Sequence, residues 1–178
     1  MIKSVTISQT PTGKYFVSVL AEENEQLFSK IDTKVGIDVS LKDFAILSNR
    51  TKYGNPKWLR KAEKRLAFLQ RSLSRKKKGS SNQNKARLQI ARLHEKIANQ
   101  RNDFLHKVSS EITNKNQVIV IEDLKVKNMQ KNHKLAKAIS EVSWTKFREY
   151  LNYKAVWEGR SMAGSSPTDL FKNEGRSV

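Results

Sequence analysis

Two carboxylates stand in apolar surroundings, where a carboxylate is costly. Asp38 lies within Val35-Gly36-Ile37-Asp38-Val39, and Glu122 closes Val118-Ile119-Val120-Ile121-Glu122. An unpaired carboxylate in an apolar strand loses its hydration, so such an acid calls for a cation. In an alternating strand Ile37 and Val39 share one face and Asp38 looks out from the other. If the two strands are parallel neighbours joined by a helical crossover, their acids converge near one end of a sheet. Converging carboxylates that hold divalent cations activate a water and stabilise the leaving oxygen in phosphodiester cleavage. Acids at strand ends are also common without catalysis, so spacing alone leaves a purely structural reading open.

The elements that must position these acids follow from periodicity. Residues 2–20 alternate in the strand manner around the turn Pro11-Thr12-Gly13, which predicts a β-hairpin followed by a polar linker to Lys34. Strands are expected at 35–39 and 44–47, with a third within the turn-rich passage 51–56. From Lys57 to about Thr113 apolar residues recur at three and four, as in Leu59, Ala62, Leu66, Leu69 and Leu73. The break Lys78-Gly79-Ser80-Ser81-Asn82 divides this run into an antiparallel helical hairpin, each arm about 30 Å or more at ~1.5 Å per residue. Val118–Ile121 reads as a buried strand, Lys125–Lys137 as a Lys- and Asn-rich loop, and Ser143–Glu158 as an amphipathic helix with Trp144, Phe147, Leu151 and Ala155 on one stripe. From Gly159 onward neither period is present. The fold class is α/β, organised as 1–34, 35–158 and an irregular tail 159–178.

Charge identifies the class of partner. The 178 residues hold 35 Lys and Arg against 17 Asp and Glu, a formal charge of +18. Such an excess is tolerated chiefly where a polyanion balances it, which points to DNA or RNA. Residues 57–107 carry sixteen basic residues and three acids, so this hairpin holds most of the excess. A solvated coiled-coil face would alternate signs to form i,i+4 pairs; here acids are too few, and the expected use is contact with phosphates. The candidates are Arg71, Arg75, Lys76, Lys77, Lys78, Lys85, Arg87, Arg92, Lys96 and Arg101. Lys125–His133 reads equally as a strand-contacting loop or a solvated connection; Trp144, Phe147 and Trp157 could serve as stacking platforms, but their helical spacing favours core packing. Cysteine is absent, which excludes disulfides and thiolate metal sites. The histidines His94, His106 and His133 are scattered, so no zinc site is expected. No signal-like start or apolar run of membrane-spanning length is present, and a reducing cytoplasm is the default location.

Five segments in order closely resemble the TnpB (OrfB) family of transposon-encoded proteins. They are 35–45 (VGIDVSLKDFA), 73–80 (LSRKKKGS), 94–104 (HEKIANQRNDF), 120–124 (VIEDL) and 131–136 (KNHKLA), and the resemblance extends over roughly residues 2–160. It implies an RNase H-like (RuvC) domain that cuts DNA under guidance of a transposon-derived RNA. Asp38 then matches the first catalytic acid and Glu122 the second, with Mg²⁺ as the metal, and the N-terminal hairpin resembles the last strands of a wedge-type barrel. Three departures stand out. The chain starts inside that barrel, Ser40 replaces a common Gly, and Ser161–Val178 resembles neither the strand, the Cys-rich zinc ribbon nor the late Asp with which the family continues, which suggests a frameshift or deletion. Asp169 is the one acid of that stretch that could stand in for the late Asp. The expectation is an incomplete RNase H-like fold with an exposed edge near Val118–Ile121, binding DNA and a guide-type RNA but catalytically incomplete. A non-catalytic DNA- or RNA-binding remnant or repressor-like module is the alternative; a basic structural RNA-binding protein would leave Asp38 and Glu122 unexplained.

Overall fold

A computed structural model of the chain describes residues 1–22, 28–122, 124, 126–129 and 131–165. The chain divides into two units, one of residues 1–25 and 58–102 and the other of residues 26–57 and 103–178. This differs from the division expected above: residues 58–102 group with the N-terminal hairpin and not with the following sheet. One reason is local, since Thr12 donates a hydrogen bond to Glu95 (3.1 Å) and Lys14 pairs with the same carboxylate (3.1 Å).

In the first unit β1 (Ile2–Gln9) and β2 (Tyr15–Ala21) pair antiparallel, with Val5 opposite Val19 and Ile7 opposite Val17. Gly13 takes the positive φ (+84°) that the connecting turn requires. Helix α1 (Trp58–Ser74) stops before Arg75-Lys76-Lys77-Lys78, where four adjacent cations repel, and Gly79 turns the chain at φ +78°. At 17 residues α1 is about 25 Å long, shorter than the expected arm. Helix α2 (Ser81–Lys115) starts where Ser80 Oγ accepts from the Gln83 N–H (3.2 Å) and Gln83 Oε1 accepts from the Gly79 N–H (2.8 Å). Two of the backbone donors at the turn into the helix are thereby satisfied. Helix α2 contributes to both units, changing over at Asp103.

The second unit is a five-stranded sheet, β5 (Lys52–Gly54), β4 (Asp43–Leu47), β3 (Lys34–Asp38), β6 (Val118–Glu122) and β7 (Ser161–Ser165), in that spatial order. Strands β3, β4 and β5 pair antiparallel, whereas β6 and β7 join β3 in parallel. Its core gathers Val35, Ile37, Ile119 and Ile121 from the strands with Leu105, Val108 and Ile112 of α2. Ile139 and Val142 come from α4 (His133–Val142), and Phe147 and Leu151 from α5 (Trp144–Trp157). Phe44 meets Phe104 and Phe147 edge to face at centroid distances of 5.0 and 4.8 Å, a geometry favoured by ring quadrupoles.

Three expectations are corrected by this architecture. The segment expected as a loop to Lys137 contains a four-residue turn α3 (Val126–Met129) and the start of α4, whose stripe Ala136, Ile139 and Val142 is obscured in the sequence by the surrounding Lys and Asn. The tail expected to be irregular contains β7. Helix α5 ends with Gly159 at φ +66°, its N–H donating to the Val156 carbonyl (3.2 Å) and the Arg160 N–H to Ala155 (2.7 Å), a Schellman closure. Gln117 then anchors the exit: its amide donates to the Gly159 carbonyl, its Oε1 accepts from Arg160 Nη1, and its backbone carbonyl accepts from the Ser161 N–H, each at 2.8 Å. Strand β6 is therefore flanked on both sides, and the edge expected near Val118–Ile121 is covered.

Candidate functional site

The β3–β6 register runs through Gly36 opposite Val120 and Ile37 opposite Ile121. One further step brings Asp38 level with Glu122 at the carboxyl ends of both strands. Level residues of parallel neighbours project to the same face, and alternation reverses that face at each step. Ile37 and Ile121 are buried in the core, so Asp38 and Glu122 share the opposite face, where both are half-buried. Electrostatics agrees with this placement. The Glu122 carboxyl is pushed above the usual carboxylate value, first by burial and second by the negative charge of Asp38. The sequence motifs thus name a pair that the sheet does bring together.

Beside Glu122 lies a hollow of about 200 Å³ that also takes in Val39, Leu124, Thr145 and Arg148. Trp144 lines it too, and its buried indole N–H has no hydrogen-bond partner among the described residues. Thr145 and Arg148 were not singled out from the sequence; their one signal is position, on the first turns of a helix that starts beside the acids. Among the described residues no three His, Asp or Glu side chains come together. Asp123 and Asp169 lie outside the described residues.

The basic residues form a second feature, within the first unit. Arg71, Arg75, Lys76, Lys77, Lys78, Lys85, Arg87, Arg92 and Lys96 are exposed. Arg101 is the exception, half-buried with its Nε sealed from solvent. Arg92 and Lys96 face Lys61 and Arg65 across a groove of about 610 Å³ between α1 and α2, whose floor is Ala62, Leu69, Leu93 and Ile97. Lys14 joins Arg92 and Lys96 at another hollow beside the β-hairpin turn. Lys14 went unnoticed in the sequence because it lies some eighty residues from its neighbours.

The three candidate stacking aromatics divide. Trp144 and Phe147 are core residues, whereas Trp157 is 62% exposed. His106 stacks on Tyr150, and the His133 side chain lies outside what is described. Of the Lys125–His133 segment, residues 125 and 130 also lie outside it. Among the described residues no helix is long and apolar enough to cross a membrane.

Residues 17–133, more than half of the chain, match the model of the OrfB family, described as "Probable transposase". The chain belongs to the TnpB (OrfB) family. A relative from Streptomyces pristinaespiralis, described as "Putative RNA-guided DNA endonuclease", is 45% identical over 159 residues, covering 89% of this chain and 40% of the relative. The Escherichia coli K12 relative "Putative RNA-guided DNA endonuclease InsQ" is 36% identical over 183 residues, covering 94% of this chain and 45% of the relative. The chain thus spans less than half the length of these two TnpB-family relatives. A solved Cas12f1–sgRNA–target DNA complex covers 92% of this chain at 14% identity and a TM-score of 0.46, with 42% of that chain matched. At that level the likeness decides nothing about function.

Proposed function

We propose that this chain corresponds to the metal- and phosphate-binding part of an RNA-guided DNA endonuclease of the TnpB type. In this reading the sheet is a RuvC (RNase H-like) core, Asp38 and Glu122 are ligands of Mg²⁺, and the basic hairpin of residues 57–113 lies along the backbone of DNA and a guide-type RNA. The observation that carries it is the meeting of Asp38 and Glu122 on one face at the ends of adjacent parallel strands. Two carboxylates side by side, one raised by burial and then by its neighbour's charge, are relieved by a divalent cation. Hard oxygen donors suit Mg²⁺, which is often held by one or two carboxylates together with waters and substrate phosphates. When bound, Mg²⁺ supplies Lewis-acid activation of a water and compensation of phosphate charge. The sheet's own contribution is to fix both acids in a single orientation, while the exposed arginines and lysines hold the polyanion.

Thermal unfolding with and without Mg²⁺ tests the ligand pair. The ion should raise the Tm of the parent, as any ligand of the folded state does, and should leave Asp38→Asn and Glu122→Gln unmoved. Equal shifts in all three proteins, or none in the parent, would remove the acids from metal binding.

A second reading, a DNA- or RNA-binding or repressor-like module without catalysis, is favoured by the number of acids. Two cations held about 3.5 to 4 Å apart need more ligands than one pair provides, and among the described residues there is only the pair. The expected result with single- or double-stranded DNA, Mg²⁺ or Mn²⁺ and a guide RNA is no cleavage above an Asp38→Ala control. Turnover abolished by both Asp38→Ala and Glu122→Ala would show that Asp123, Asp169 or a partner chain completes the site.

A further inference from the structure

Helix α5 carries two stripes. The inner one, Trp144, Phe147, Leu151 and Ala155, is buried. The outer one, Lys146, Tyr150, Tyr153 and Trp157, recurs at four, three and four residues and so also forms a single face. Most surface helices need only one apolar face, and three rings on the second require an explanation beyond the core.

The rings are already arranged. His106 of α2 stacks on Tyr150 at 4.0 Å and 23°, Tyr150 meets Tyr153 edge-on at 5.9 Å, and Tyr153 meets Trp157 edge-on at 4.8 Å. Lys146 Nζ stands 5.6 Å from the Tyr150 ring centroid at one end, and Trp157 is 62% exposed at the other. Beneath them Lys154 is buried and donates from Nζ to the His106 carbonyl (2.8 Å), Ser109 Oγ (2.8 Å) and Ser110 Oγ (2.7 Å), tying α5 to α2. Burial, followed by the charges of Lys154 and Lys146, lowers the His106 imidazole from its ordinary value, which favours the neutral ring. The rings are thus in contact with one another before any ligand arrives, which lowers the ordering cost of binding.

We infer that this outer face, Tyr150, Tyr153 and Trp157 with His106 and Lys146, is a stacking site for unpaired nucleobases. Ring faces accept any base, and Lys146 can meet a phosphate beside a stacked one. A chain of charge +18 attracts a polyanion in preference to a neutral or basic peptide. Asp103, one turn before His106, is neutralised by Lys107 at 2.8 Å. Aliphatic side chains would serve an apolar protein partner as well as rings do; this stripe holds only aromatic rings and a lysine.

The inference rests on the reading that the partner is nucleic acid, and its test separates the two. Affinity of the full chain for a labelled oligothymidylate of about 12 nucleotides is compared with that for a duplex of equal length. Trp157→Ala should weaken single-strand binding on the order of ten-fold, the loss of one base stack, and leave both duplex affinity and the log–log salt slope unchanged. Trp157→Phe should recover most of the loss and Trp157→Leu little of it. Unchanged single-strand affinity in Trp157→Ala, equal losses on both nucleic acids, or Leu serving as well as Phe would each overturn the stacking site while the proposed function stands. A shift from oligomer to monomer on sedimentation, with single-strand affinity intact, would assign the face to a second copy of the chain. A parent protein that binds neither nucleic acid would overturn both.

Discussion

The two units of this chain use apolar residues in opposite ways. In the unit of residues 26–57 and 103–178, strands and helices close over Phe44, Ile37, Ile119, Leu105, Phe147 and Leu151, all nearly inaccessible. Among the described residues of the unit 1–25 and 58–102, only Ala86 and Ile97 are buried apolar residues, α1 buries none, and both hairpin strands are exposed along their length. The first arrangement draws its stability from packing; the second depends on local helix and hairpin geometry and leaves its surface, with most of the net positive charge, exposed. Fold stability and duplex binding should therefore respond to mutations in different halves.

The largest expected effect sharpens that contrast. Phe147→Ala removes a fully buried ring that meets Phe44 edge to face and should cost about 3 to 5 kcal/mol. Phe68→Ala, at 64% exposure on α1, should change stability by about 0.5 kcal/mol or less. Urea unfolding of both variants decides; similar losses would mean that the first unit contains a core the structure does not show.

Next in size is the effect of charge on binding. Changing Arg75, Lys76, Lys77 and Lys78 to Ala should leave the midpoint of unfolding near that of the parent, since all four are exposed beyond the end of α1. Duplex binding should weaken, and the log–log salt slope should shrink by up to about 3.6, about 0.9 for each phosphate no longer neutralised. An unchanged affinity with a flat salt response would break the division of labour between the units.

How much of this was legible in the sequence follows from range and from contrast. Asp38 and Glu122 were legible because each interrupts or ends a run of β-branched residues, and a strand's period of two fixes which face each takes. The helical hairpin was legible through its leucine spacing and the Gly79 break. Strand β7 was not, because Ser-Met-Ala-Gly-Ser has weak β propensity and owes its place to Gln117 forty residues earlier; Gly159 was the available clue, as a helix-ending residue at positive φ. Helix α4 was missed because its short apolar stripe sits among lysines and asparagines. The outer stripe of α5 was half legible: Trp157 was noted, but His106, which stacks on Tyr150, comes from a different helix and no spacing connects them.

The smallest effect concerns the acid pair, and its sign tests the geometry. The Glu122 carboxyl stands above the ordinary value of 4.5, chiefly because it is buried and then because Asp38 is negative. The folded protein therefore keeps this proton at a pH where the unfolded chain has released it, so stability falls as pH rises from the unfolded value through the raised one. Above the raised value both forms are ionised and the penalty is complete. Glu122→Gln removes it and should stabilise the protein at pH 7 by about 0.5 kcal/mol or less, as befits a half-buried position. Its advantage should shrink as pH falls toward 4.5, where the parent regains its proton. Asp38→Asn relieves only the lesser of the two causes acting on Glu122. Urea unfolding at pH 7 and at the ordinary carboxylate value measures the difference; an advantage independent of pH, or a loss at pH 7, would show that neither burial nor Asp38 raises the Glu122 carboxyl. Saturating Mg²⁺ should reverse the order at pH 7, because an ion bound between two carboxylates stabilises the parent and has no such pair in the variant.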